Sequence, residues 1–188
     1  MRKIVAGLFM SLDGVVDSPA SSPHEWTNTE MAEWMADGIA QADSVLLGAR
    51  SYLLLAEFWR HQGNDLPMAR FLNRSPKYVV SASVDTLDWQ PAALIRGNLR
   101  EELTTLKAQP GKNIQVPGSP RLVRWLLCNG LLDELRLAIC PVVVGPGMRL
   151  FDEISKQITL TLMAAKTASN GVVVLTYQPA RSNTRAAA

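Results

Sequence analysis

The sequence has few of the residues that mark secreted or metal-binding proteins. Its 188 residues include two histidines and two cysteines, Cys128 and Cys140, with no Cys-x-x-Cys pair. This excludes a disulfide framework and offers no metal-ligand spacing, so we expect two buried free thiols and no metal site. No apolar run approaches the roughly 20 residues of a membrane-spanning helix. We therefore expect a cytoplasmic protein without membrane contact.

An excess of charge of one sign is also absent. Nineteen basic residues against 17 acidic residues give a net charge of +2, so no strong field attracts nucleic acid. Hydrophobic residues make up 47% of the chain, which excludes a disordered protein. The length is that of one domain with a sizeable core.

The first two-thirds of the chain alternates short apolar runs with amphipathic helical patterns. Strands are predicted at residues 3–10, 44–47, 77–81, 94–95 and 113–116. Helices are predicted at residues 31–42, 50–59, 67–72, 98–107 and 119–130. Asn98 and Ser119 are expected to cap two of these helices, and Gly130 to end the last.

The last third has a different pattern. Residues 133–140 alternate as a half-buried strand, and residues 157–163 and 172–177 flank a hairpin signal at Ser169-Asn170-Gly171. We predict an α/β fold with a mainly parallel central sheet and a C-terminal antiparallel hairpin. The expected domain is 1–178, followed by a flexible tail at 179–188.

Two strand-to-helix junctions are candidate anion sites. At the first, a buried strand runs into Gly48, and Arg50 and Ser51 lie in the first turn of the next helix. A guanidinium and a hydroxyl beside free N–H groups can bind a phosphate. The alternative is an ordinary turn with a solvated Arg50. At the second, Gly118 and Ser119 follow a strand, although Ser119 could serve only as a helix cap.

The chain resembles the dihydrofolate reductase-like superfamily, in the branch of the C-terminal reductase domain of the bacterial riboflavin-biosynthesis deaminase-reductase. The resemblance rests on motifs spread over residues 2–177. These are Ser11-Leu12-Asp13-Gly14, Leu47-Gly48-Ala49-Arg50-Ser51-Tyr52, Lys77-Tyr78-Val79-Val80-Ser81, Gly118-Ser119, Gly130-Leu131-Leu132-Asp133-Glu134-Leu135, and Pro141-Val142-Val143-Val144-Gly145-Pro146-Gly147. It implies a three-layer α/β/α reductase domain that binds NADPH.

The resemblance also assigns roles to residues. Gly48, Arg50 and Ser51 match the ligands of the adenosine-side phosphates, and Ser81 lies near the 2′-phosphate and adenine. Gly118 and Ser119 match the pyrophosphate contact, where dihydrofolate reductases have a Gly-Gly pair. The loop with Ser11 and Gly14 matches the segment beside the nicotinamide ring.

The sequence does not identify the substrate. The resemblance implies reduction of 5-amino-6-(5-phosphoribosylamino)uracil in riboflavin biosynthesis, or of another small heterocyclic or carbonyl compound. Arg149 is a candidate ligand for a substrate phosphate, or else a solvated arginine. Asp13 is a candidate catalytic acid, or else a turn residue before Gly14.

Other functions are also consistent with the sequence. A folate reductase needs an inward acid on the first helix, yet Glu30, Glu33 and Asp37 are expected to face solvent. This expectation argues against folate as the natural substrate. Dihydrofolate reductase-type activity and a non-catalytic NADPH-sensing dimer are the two alternatives to the leading interpretation. The exposed edge of the predicted hairpin makes a homodimer the expected assembly.

Overall fold

The apolar runs pair side by side in a single sheet. The computed structural model describes residues 1–18, 20 and 22–180. Within them, the strands are β1 (Ile4–Ser11), β2 (Ala42–Gly48), β3 (Lys77–Val80), β4 (Ala92–Ile95), β5 (Asn113–Pro117), β6 (Glu134–Cys140), β7 (Leu160–Thr167) and β8 (Val173–Pro179). The helices are α1 (Pro23–Trp26), α2 (Thr29–Ala40), α3 (Ala49–Trp59), α4 (Pro67–Arg74), α5 (Leu99–Ala108) and α6 (Pro120–Cys128).

The sheet has the strand order β4-β3-β2-β5-β1-β6-β8-β7. The pairs from β4 to β6 are parallel, whereas β8 is antiparallel to both of its neighbours. Gly171, with φ of 85°, occupies the turn between β7 and β8, where its N–H donates to the Ala168 carbonyl. The predicted mainly parallel sheet with a C-terminal antiparallel hairpin is confirmed.

Alternate residues of each strand face opposite sides of the sheet. In β2, Leu46 packs in the cluster that contains α5 and α6, whereas Val45 and Leu47 pack with α3 and α4. Helix α2 contacts α4 and buries Met31 against Ala138 of β6 on the second face. The result is the expected α/β/α arrangement. None of the described helices is long and apolar enough to cross a membrane.

Local signals fix several helix ends. The Asn98 side chain accepts a hydrogen bond from Arg100 N, as the predicted cap requires, and Gly130 adopts φ of 65° just after α6. At the end of α4, the buried Lys77 Nζ donates to the carbonyls of Leu72 and Ser75 at 2.8 and 3.1 Å. Burial lowers the pKa of this lysine to about 8.

Three expectations need correction. Strand β6 is buried on both faces, not half-buried, because α6 covers Leu135 on one side and α2 covers Ala138 on the other. Cys140 is buried, and burial raises the pKa of its thiol to about 11, but Cys128 at the end of α6 is exposed. Strand β7 begins at residue 160, three residues later than expected.

The last strand extends slightly beyond residue 178. Pro179 belongs to β8, and Ala180 N donates to the Thr159 carbonyl at 2.8 Å. Pairing therefore extends past residue 178. The rest of the expected tail, 181–188, lies outside the described residues.

Candidate functional site

Two neighbouring strands direct the chain to opposite faces of the sheet where they end. β2 and β5 are adjacent and parallel, with Val45 opposite Gln115. After β2 the chain enters α3 on one face, and after β5 it enters α6 on the other. Such a divergence opens a crevice at the carboxyl ends of the strands, where ligands bind in open α/β sheets. The two predicted corners, at Gly48 and Gly118, therefore border one crevice.

A hydrogen bond joins the two corners. Gly48 N donates to Ser119 Oγ at 3.1 Å, across 71 residues of sequence. Ser119 precedes α6 as expected, but its hydroxyl does not cap that helix. The physical reason is its left-handed backbone (φ 55°, ψ 57°), because a side chain caps its own helix from an extended conformation.

Gly48 has no conformational need to be glycine. Its backbone (φ −78°, ψ 156°) suits any residue, and an added Cβ would meet only Ser119 Oγ, at an ordinary 3.9 Å. Gly48 is the N-cap of α3, where glycine is favoured over alanine, and a ligand that approached the backbone closely would favour glycine as well.

An arginine lies in the first turn of each of the two helices, α3 and α6. Arg50, in the first turn of α3, is exposed and forms no hydrogen bond or ion pair with the described residues, and Ser51 beside it is half-buried. Arg121 occupies the equivalent place in α6 and is exposed in the same way. Sequence reasoning missed Arg121. A basic residue directly after the Ser119-Pro120 helix start was the signal that could have found it.

Ser81 lies at the carboxyl end of β3, next to β2 in the sheet. It is buried, and its Oγ accepts hydrogen bonds from Ser83 N and Val84 N at 3.1 and 2.9 Å. The hydroxyl therefore shapes the loop that follows β3. Its predicted contact with a cofactor stays a prediction.

The Asp13 carboxylate connects two loops at the ends of β1 and β6. It accepts hydrogen bonds from Ser11 Oγ at 2.7 Å, Val144 N at 3.1 Å and Gly145 N at 2.9 Å. The hydrogen bond from Ser11, together with the two backbone N–H groups, lowers the pKa of Asp13 to about 2. An ionised group with these partners has no proton to donate at neutral pH. The geometry favours a positioning role for Asp13 over proton transfer.

Arg149 strengthens the same connection. Its Nε donates to the Asp13 carbonyl at 3.1 Å and its Nη2 to the Gly145 carbonyl at 2.8 Å, with the Asp13 carboxylate 3.6 Å away. Gly14, at φ of 90°, forms the turn between these groups, and its carbonyl accepts from Leu150 N. Arg149 is therefore not a freely solvated arginine, although 44% of its side chain stays exposed to solvent.

Sequence comparison decides the family. The model of the RibD C-terminal domain matches residues 2–174. The chain belongs to the RibD C-terminal domain family. It is 31% identical over 179 residues to the uncharacterized protein YyaP of Bacillus subtilis, and the match covers 94% of each chain.

Solved structures of RibD-like proteins share the dihydrofolate reductase-like fold. A riboflavin biosynthesis protein from Shewanella sp. PV-4 superposes with a TM-score of 0.76 at 18% identity, over 96% of this chain and 100% of that one. The Thermotoga maritima deaminase/5-amino-6-(5-phosphoribosylamino)uracil reductase gives 0.67 at 14% identity, over 95% of this chain and 57% of that one. At these identities the likeness establishes the fold alone.

In this RibD C-terminal domain, no acid of α2 faces the sheet. Glu33 and Asp37 are exposed, as predicted from the helical wheel. Glu30 is also exposed, and its carboxylate accepts hydrogen bonds from the Ser169 hydroxyl and backbone N–H at 2.6 Å, which hold the β7–β8 turn against α2 and lower the pKa of Glu30. The helix thus lacks the inward carboxylate that a folate reductase requires.

Proposed function

We propose that this protein is an NADPH-dependent reductase of a small heterocyclic or carbonyl substrate, related to the 5-amino-6-(5-phosphoribosylamino)uracil reductases of riboflavin biosynthesis. The observation that carries the proposal is the hydrogen bond that holds the Gly48 and Ser119 corners together at the crevice between β2 and β5. Membership of the RibD C-terminal domain family supports the reaction class.

The residues present fit a dinucleotide. The first turns of α3 and α6 provide N–H groups without intrahelical acceptors, and Arg50 and Arg121 add two guanidinium groups that have no partner among the described residues. Two separate anion sites at one crevice match a ligand with several phosphates. In this proposal Arg50, Ser51 and the first-turn N–H groups after Gly48 hold the adenosine-side phosphates, with Ser81 beside them. The first-turn N–H groups after Gly118 and Ser119 hold the pyrophosphate.

The protein's part in the reaction is positioning. Bound NADPH would supply a hydride to the acceptor carbon, and water would supply the proton that completes the reduction, so the chain need not provide a nucleophile. The loops joined by Asp13 and Arg149 lie at the carboxyl ends of β1 and β6, on the far side of β5 from the Gly48 corner. Their fixed shape can orient a substrate. Arg149, at the outer side of these loops, is the cation proposed to contact a substrate phosphate.

Dihydrofolate reductase-type activity is the weaker alternative, because α2 presents no acid that could pair with a protonated pterin. A non-catalytic NADPH-binding dimer is the other alternative. The two remaining possibilities, reductase and sensor, differ in turnover rather than in cofactor binding.

The test is titration of the protein with NADPH and NADH, followed by NADPH oxidation assays with 5-amino-6-(5-phosphoribosylamino)uracil and a panel of carbonyl and pterin compounds. We expect tight NADPH binding and turnover of at least one compound. Tight binding without any turnover would favour the sensor. Absence of heat with either coenzyme would refute both.

The substitution Arg50→Ala tests which phosphate of the coenzyme Arg50 contacts. If Arg50 contacts the extra phosphate of NADPH, loss of a charge-assisted hydrogen bond should weaken NADPH by roughly 10- to 100-fold and leave NADH nearly unchanged. Equal loss for both coenzymes would place Arg50 at the pyrophosphate, and no loss would make it a solvated arginine. Arg74→Ala is the matched control, because Arg74 is also exposed but precedes the amino end of β3, whereas Arg50 follows the carboxyl end of β2.

A further inference from the structure

Ser119 is the side chain through which the two corners of the crevice meet. It is 5% exposed, although it follows a strand end that borders solvent. Its Oγ accepts the Gly48 N–H, and its own carbonyl accepts Val123 N at 2.9 Å in the first turn of α6. Ser119 thus contacts the first turn of α6 through its backbone carbonyl and the start of α3 through its hydroxyl.

The backbone of Ser119 is unusual for a serine. Gly118 and Ser119 adopt φ of 78° and 55° in succession, and residues other than glycine rarely take this left-handed conformation. Gly118 N donates to the Gly7 carbonyl at 3.0 Å, which anchors the turn to β1. The turn directs the serine hydroxyl toward β2 instead of toward its own helix, so the conformation and the hydrogen bond to Gly48 occur together.

The hydrogen bond also determines which donors remain for a ligand. Gly48 N is occupied by Ser119 and Gly118 N by Gly7, so neither N–H is available to a phosphate. The available donors are the first-turn N–H groups that follow each corner. The two helices pack on opposite faces of the sheet, and the Gly48–Ser119 hydrogen bond links their starts directly.

We propose that Ser119 is a positioning residue that holds the starts of α3 and α6 in register, so that a single dinucleotide is bound by both at once. This inference rests on the proposed function and adds to it a specific consequence. Ligands that contact both corners depend on the Ser119 hydroxyl, whereas ligands that contact the Gly48 corner alone do not.

The test compares Ser119→Ala and Ser119→Gly with the unmodified protein. NADPH serves as the ligand that spans both corners, and adenosine 2′-monophosphate, which lacks the 5′-phosphate, as the ligand of the Gly48 corner. Loss of one hydrogen bond should weaken NADPH by about tenfold in both variants and leave adenosine 2′-monophosphate within about twofold. Amide hydrogen exchange at Gly48 should accelerate in both variants, because its acceptor is gone. Ser155→Ala, an exposed serine outside the crevice, is the control.

The outcomes separate the positioning role from the proposed function. NADPH affinity within twofold of the unmodified protein in Ser119→Ala would overturn the positioning role alone. Equal loss of both ligands would also overturn it, since Ser119 would then act on one corner or on the whole fold. Recovery of NADPH affinity in Ser119→Gly would assign the effect to backbone strain and would likewise overturn the positioning role of the hydroxyl. An unmodified protein that binds neither ligand would overturn the proposed function and this inference together.

Discussion

At Gly48, the requirements of folding and those of ligand binding can be considered separately. Neither its φ and ψ nor its internal neighbours require a glycine, as the 3.9 Å distance from a built Cβ to Ser119 Oγ shows. Gly118 differs, because its φ of 78° disfavours any side chain. The two glycines of the crevice are therefore present for different reasons, and substitution can distinguish them.

We predict that Gly48→Ala weakens NADPH binding by at least tenfold while the protein keeps its stability. An alanine at a compatible φ restricts the unfolded chain, but alanine is a poorer N-cap of α3 than glycine, so the two effects oppose each other and the free energy of unfolding should change by less than about 1 kcal/mol. The methyl group of the alanine would stand where the proposed phosphate approaches the backbone. Calorimetric titration and urea unfolding measure the two effects, and unchanged NADPH affinity would contradict the prediction.

At the scale of elements, the sequence predicts those features that are determined by residues close together in the chain. The Gly48 and Gly118 corners, the cap at Asn98 and the turn at Gly171 all have local causes, and the structure has each where it was expected. The Ser119–Gly48 contact could not be predicted in this way, because 71 residues separate its partners. The burial of both faces of β6 also depends on helices and strands that come from elsewhere in the chain.

The loops at the ends of β1 and β6 illustrate the same division. Asp13-Gly14 indicates a turn, and the structure has one, but the partners of Asp13 at Val144 and Gly145 lie 131 and 132 residues away. Neither the turn signal nor the charge predicts those partners. The role of Asp13 in joining two loops is visible only in the folded protein.

We expect Asp13 to make stability depend on pH in acid. Its hydrogen bonds lower the pKa from 3.8 to about 2, so its contribution should be fully present above pH 3.8 and be lost as the pH falls toward 2. The free-energy difference between the unmodified protein and Asp13→Asn should therefore be constant near neutrality and shrink in that window. Urea unfolding from pH 2 to 7 measures it, with the exposed Asp37→Asn as control. A difference that does not change with pH would exclude this role.

At the scale of the whole molecule, the sheet ends in β7, which no other part of the described chain covers at its outer edge. Seven of the eight residues of β7 are exposed, with Leu162 at 51% and Met163 at 55%, and one edge of β7 has no partner strand within the described residues. An apolar edge strand invites pairing with another chain. Lys166 is the one charged residue in this strand, so repulsion between like charges would do little to prevent this edge from pairing with another chain.

We predict that the protein forms a homodimer through β7. Two copies paired antiparallel about a two-fold axis would extend the sheet and use up both edges, so that association stops at two. In sedimentation experiments, the unmodified protein should behave as a dimer at micromolar concentration. Leu162→Lys should shift it toward monomer, because the charge would be placed at the centre of the new contact. Leu53→Lys is the matched control, since Leu53 is equally exposed, at 56%, but lies on α3. A monomeric unmodified protein, or equal dissociation of both variants, would rule out this interface.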